Sequence, residues 1–498
     1  MNTDKNNYYL FILVAASSSG KGKLINTLVS DNFWETVPKY STRDNRGKDD
    51  DVVKIDDNSV NDAEEENDKL LIRQERIKYL KEVCGSGNGV VYYKNEDFYG
   101  FKIDKIVNGL KKKHIVIVLS DFNTIRKLTD NSELKNRIRV IYIASPVDER
   151  ELLKRFKERE NIDLKEQSDE TERTIQKIHK LCLVLSSASR LRYLNTIENI
   201  LPLLNEEWNN YVPYFETIKA RALNIRMLYD RYIDNIIDVD YTILNFDKLD
   251  DLYSQARNIM NNIRQQRKQC KPPVFMVCAP TSSGKKTLME IVGDLGEIYK
   301  DIVITKKYAK RESRDTDGRD GMQAIGSDGN FESYIEENNI WSWSFHHGAT
   351  EYAVDKKEIQ KNIDKLIAQV FISNMQQIET AKKYFPNNIV ILYLHAAHTT
   401  ATEDHIKKKR SLEIMKCFGL STNSKKSEVL KKEFDMLIRT NIKAKKRFDE
   451  LVQKDKDEIK QVFHDYIANI SNIDHVLLNT GTRENLIDQM MNLIKFYK

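Results

Sequence analysis

Pro272–Leu288 reads PPVFMVCAPTSSGKKTL, and this stretch decides the fold. Val274–Cys278 is a short apolar run with the length and β-branched content of a buried strand, and it passes directly into small residues, Gly284 and Lys285. That order predicts a strand, a phosphate-binding loop and a helix. In such a loop successive backbone N–H groups curl around an anion, the helix presents its positive N-terminus, and a lysine reaches the outer phosphates. Lys285 is the expected lysine, with Ser282, Ser283, Gly284, Lys286 and Thr287 as the rest of the loop. Against the pattern G-x-x-x-x-G-K-[ST], Ala279 replaces the first glycine and Lys286 the magnesium-binding hydroxyl, with Thr287 one place further on.

The pattern occurs twice. Leu10–Leu24, LFILVAASSSGKGKL, repeats the apolar strand, the small-residue loop and the glycine-lysine pair, here Ser19, Gly20 and Lys21. Ala15 stands at the first glycine, and Gly22 and Lys23 leave no hydroxyl for magnesium. Each loop is followed at similar spacing by a basic segment, KYSTRDNR over Lys39–Arg46 and KYAKRESR over Lys307–Arg314. Each segment ends in two arginines, Arg43 with Arg46 and Arg311 with Arg314. Guanidinium forks match phosphate oxygens bidentately and keep their charge, so the pairs are expected to hold an acceptor phosphate.

Loop and arginine pair together resemble the guanylate kinase family, which joins a GPSGSGKST-like loop to an (S/T)-x-T-T-R-x-x-R segment. The resemblance implies an α/β fold of two P-loop NTPase domains, each a parallel sheet flanked by helices, with long helical lid insertions. It also implies ATP and Mg2+ as cofactors and a phosphorylated acceptor. Tyr99 in YYKNEDFYGF and Tyr352 in the segment TEYAV fall at the family's Y-G-T element and are expected beside that acceptor. Asn245, in VDYTILNF, and Asn479, in IDHVLLNT, match the family's asparagine near the nucleotide base. Arg155 and Arg159, and Arg410 in DHIKKKR, match its lid arginines.

The second half departs from the family at Ser342, where no acidic residue is present to read guanine. Its WSFHHGATEYAV instead resembles ribose bisphosphate phosphokinases, as does VFISN over Val370–Asn374. Trp341 and Trp343 are expected to pack in a core, and His346 and His347 to lie in a turn. The domains are expected at 1–265 and 274–498, joined by a linker at 266–273, with the first the more degenerate. Asp49–Asp68 is acidic and Asn-rich and reads as a solvated loop; Ile162–Asn235 and Ser427–Ala468 read as helical insertions.

Composition narrows the alternatives. The chain has 498 residues, 40% hydrophobic and 31% charged, which suits soluble globular domains. Its 80 basic and 75 acidic residues nearly cancel, and a net charge of +5 does not suit a general nucleic-acid binder. No run approaches the roughly 18 apolar residues of a membrane helix, so no membrane partner is expected. Five scattered cysteines, without a C-x-x-C pair or metal spacing, suit free thiols in a cytoplasmic protein. Two functions fit these features: an ATP-dependent phosphotransferase acting on a nucleoside monophosphate or phosphorylated ribose, mainly through the second domain, or an inactive guanylate kinase-like scaffold that binds a nucleotide or a phosphoprotein.

Overall fold

The computed structural model describes residues 8–15, 19–42, 52–54, 66–85, 89–94, 97–144, 231–245, 248–266, 272–312, 321–325, 330–338, 340–344, 351–396, 399–420 and 427–497. They fall into two compact units, divided between Tyr253 and Ser254. No helix among them is long and apolar enough to cross a membrane.

Each unit is built on a five-stranded parallel sheet. In the first, the spatial order is Trp34–Thr36, His114–Val118, Leu10–Ala15, Ile138–Ala144, Tyr241–Leu244. In the second it is Ile302–Ile304, Ala368–Ser373, Val274–Cys278, Ile389–Ala396, His475–Asn479. Taken in chain order, both sheets run 2-3-1-4-5, and among the described residues no strand of one sheet pairs with a strand of the other. The first strand of each is central and fully buried along its length. This explains why LFILVA and VFMVC are continuous apolar runs: a strand covered on both faces has no solvent side for polar residues to occupy. In the second unit Phe275 and Val277 share a core with Leu288, Ile291 and Val292 of the helix Lys285–Tyr299, and with Leu486, Met490 and Leu493 of Arg483–Tyr497.

A four-stranded sheet accompanies each central sheet, again in matching order. Lys39–Ser41 lies parallel to Val52–Lys54 and antiparallel to Asp97–Lys102, with Gly89–Lys94 outermost. Lys307–Lys310 stands in the same relation to Met322–Ile325, Glu351–Val354 and Trp341–Ser344. The acidic stretch is thereby corrected. Val52–Lys54 pairs as a strand and a helix starts at Glu66, because two adjacent valines inside the acidic run suffice to pair with a neighbouring edge. Trp341 and Trp343 are core residues: Trp341 packs edge-on to Phe371 at 5.8 Å and its Nε1 donates to Gln377 Oε1 at 2.9 Å.

The likeness of the units reaches single contacts. The carboxylate of Asp240 accepts from the Val140 N–H at 2.7 Å, and Asp474 accepts from Ile391 at the same distance. Tyr142 stacks on Tyr232 with ring centroids 3.9 Å apart, and Tyr393 on Tyr466 at 4.2 Å. Between its fourth and fifth strands the second unit carries the helices Thr399–Cys417, Ser427–Thr440 and Ile442–Ala468, the last capped by Asn441, whose Oδ1 accepts from the Ala444 N–H.

Candidate functional site

The loop 279–284 leaves the C-terminal end of the central strand of the second unit. There the connection out of the first strand runs toward one edge of the sheet and that out of the fourth toward the other, the switch point at which open α/β sheets bind ligands. The chain turns through two left-handed residues, Ser282 at φ 59° and Gly284 at φ 98°. The helix then begins at Lys285 with no side-chain cap. Its first N–H groups therefore keep their capacity for an anion, and the helix dipole favours one. Ser282 Oγ and Ser283 Oγ are buried without a hydrogen-bond partner among the described residues. Buried hydroxyls usually find partners, so two in one loop mark a place built for a ligand's oxygens.

Lys285 Nζ donates to the carbonyls of Ala279 at 2.9 Å and Pro280 at 2.7 Å, folding back over the loop it follows. Burial pushes its ammonium down to about 8, partly opposed by Glu458 on the helix Ile442–Ala468. An incoming phosphate would restore the charge that burial disfavours.

The expected magnesium position does not fit a metal. Lys286 is itself a cation, and its Nζ lies 3.9 Å from Glu290, one helical turn on. Thr287 is about 100° further round the helix, by the 3.6-residue turn, and so does not replace it. No group of three or more acidic, histidine or cysteine side chains suited to a metal occurs among the described residues.

The two asparagines expected near a base both touch their own loop. Asn479 Nδ2 donates to Ser283 O at 2.8 Å while its Oδ1 accepts from the Gly481 N–H at 3.0 Å. Asn245 Nδ2 donates to Ser19 O at 2.6 Å. Gly20 matches Gly284, with φ 81°, and Lys21 likewise opens its helix.

Arg410 is held within the insertion. Its Nε and NH2 form a fork on Asp455, at 2.7 and 2.5 Å, and its NH1 reaches Glu413 at 2.5 Å. Asp455 is only 1% exposed, and the hydrogen bonds to it push the guanidinium pKa further up. The sequence matches Arg410 to a lid arginine and gives no sign of this partner. Nothing in the local pattern connects residues 410 and 455; only the antiparallel return of the insertion brings them together.

On the accompanying sheets Lys307 Nζ lies 4.7 Å from the Tyr352 ring centre, and Lys39 lies 5.8 Å from that of Tyr99. The cation-π contact thus recurs at the expected acceptor tyrosines. Arg311 NH1 donates to the Glu312 carbonyl at 2.8 Å. Arg314, Arg43, Arg46, Arg155, Arg159, His346 and His347 lie outside the described residues.

No family model matches the sequence, and no curated protein matches it. Among solved structures, the chain is similar to the guanylate kinase from Anaplasma phagocytophilum at 11% identity, over 46% of this chain and 87% of that one, with a TM-score of 0.28. A likeness of that size carries no functional inference.

Proposed function

We propose that the second unit is an ATP-dependent phosphotransferase of the nucleoside-monophosphate-kinase type, acting on a nucleoside monophosphate or a phosphorylated ribose. The observation that carries this reading is the loop itself: a left-handed glycine, an uncapped helix N-terminus, two buried serine hydroxyls without a partner among the described residues and a half-buried lysine meet at the switch point of a parallel sheet. Lys285 exchanges the carbonyls of Ala279 and Pro280 for the donor's outer phosphates. Arg311 and Arg314 grip the acceptor phosphate, beside Tyr352. In transfer, the bond from the γ-phosphorus to the β,γ-bridging oxygen breaks and a bond to an acceptor oxygen forms, with ADP as the leaving group. Since such a transfer asks the protein mainly for alignment and charge neutralisation, a preorganised loop and paired arginines supply much of what is needed.

A second reading, a nucleotide- or phosphoprotein-binding scaffold without turnover, is favoured by two observations. Arg410 is engaged by Asp455, and Lys286 occupies the metal position. The first unit, whose loop is further from the pattern, fits that role best. An ADP-release assay across nucleoside monophosphates and ribose bisphosphate separates the readings: turnover abolished by Lys285→Ala supports the enzyme, and ATP binding without ADP release from any acceptor supports the scaffold.

A further inference from the structure

We propose that Asn479 is a positioning residue for the phosphate loop, a latch that ties the Ser283 carbonyl to the turn after the last strand and keeps that acceptor away from the bound anion. The inference rests on reading the loop as a triphosphate site.

An anion cradle made of N–H groups is weakened by any carbonyl oxygen free to swing into it, and Ser283 is the residue just before the left-handed turn at Gly284. Its carbonyl is occupied by Asn479 Nδ2 at 2.8 Å. The orientation of the amide is settled by its other end, because Oδ1 accepts from the Gly481 N–H at 3.0 Å and a flipped amide would set oxygen against oxygen at Ser283. The amide also lies against the turn itself: a Cβ at Gly284 would come within 2.3 Å of Nδ2.

The first unit makes the same latch independently. Asn245, 7% exposed, donates to Ser19 O at 2.6 Å, and a Cβ at Gly20 would stand 3.0 Å from its Nδ2. That loop carries Ala15, Gly22 and Lys23 where the pattern has a glycine and hydroxyls, yet the latch is kept. In both units, then, the asparagine serves the loop's backbone; a residue reading the base would have its amide committed elsewhere.

The test uses the full chain, with Asn479→Ala and the near-isosteric Asn479→Leu, which removes the amide without adding a charge beside the loop. Binding of ATP and of inorganic triphosphate is measured by calorimetry, and hydrogen exchange of the peptide Ala279–Leu288 is followed without ligand. The latch predicts that both variants lose about tenfold in affinity for ATP and inorganic triphosphate alike, as one partly buried hydrogen bond is removed, and that the loop peptide exchanges faster. A loss for ATP with none for inorganic triphosphate would overturn it in favour of a base contact. Unchanged exchange and affinity would overturn it outright. If the unmodified chain binds neither ligand, the triphosphate reading of the loop fails, and loop exchange in Asn479→Leu still decides the latch: faster supports it, unchanged refutes it.

Discussion

Replacing Gly284 with alanine strikes the loop at its tightest backbone turn. At φ 98° an L-residue is strained, at about 1–2 kcal/mol. The new Cβ would stand 2.3 Å from Asn479 Nδ2, a distance no real contact sustains, so the amide must leave Ser283. Losing that hydrogen bond adds about 1 kcal/mol. Together the second unit should lose about 2–3 kcal/mol. Gly22→Ala provides the contrast: nothing lies within 4 Å of its Cβ, and it sits inside the helix Lys21–Ser30, where alanine should stabilise by roughly 0.5–1 kcal/mol. Native-state hydrogen exchange of Val274–Cys278 and Leu10–Ala15 along a urea series reads the two units separately. A loss below about 0.5 kcal/mol for Gly284→Ala, small against the surface-mutation range, would refute the reasoning about the turn and its amide neighbour.

The remaining predictions concern charge. Lys285→Ala should weaken ATP binding by roughly 1.5–3 kcal/mol, and Lys21→Ala by less; equal, negligible effects in calorimetry would remove the asymmetry between the units. Because Lys285 is held at about 8 when free and an anion raises it, ATP affinity should be full well below pH 8 and fall about fivefold from pH 8 to pH 9. A flat profile that Lys285→Ala does not alter contradicts this. Asp455→Ala leaves Arg410 half-paired in the insertion and should cost about 3 kcal/mol in thermal unfolding; a change under about 0.5 kcal/mol would show the pair to be dispensable. Burial holds His475 down at about 3, against 6.5 in the unfolded chain, while its Nε2 contacts the Tyr497 hydroxyl at 2.9 Å. The unfolded state then binds the extra proton, so stability falls as pH drops below 6.5, by up to about 1.4 kcal/mol per pH unit. Urea unfolding at pH 7 and pH 5 should show this slope reduced in His475→Asn.

The parts legible in the sequence were those whose signal is local. Val274–Cys278 and Leu10–Ala15 are continuous apolar runs because both their faces are covered, and the glycine-lysine pairs mark the helix starts directly. Val52–Lys54 was obscured by the acidic residues around it, since its pairing with Lys39–Ser41 depends on a neighbour and not on its own pattern. Partners far apart in sequence were the least visible. Arg410 finds Asp455 across 45 positions, and Asn479 reaches Ser283 across 196. A side chain's type shows what it is able to bind; which of several chemically equivalent partners it meets is decided by the crossing of helices and the order of strands. The asparagines show this plainly: their position at the end of the last strand was readable, their contact with the loop was not.

The most direct measurement is transfer itself: ATP labelled in its γ-phosphate is incubated with the full chain and a panel of nucleoside monophosphates and phosphorylated riboses, and the products are separated by mass. The account predicts label on one of these acceptors with ADP released in equal amount, and loss of both with Lys285→Ala. ATP bound at the loop, with no label on any acceptor, would contradict it.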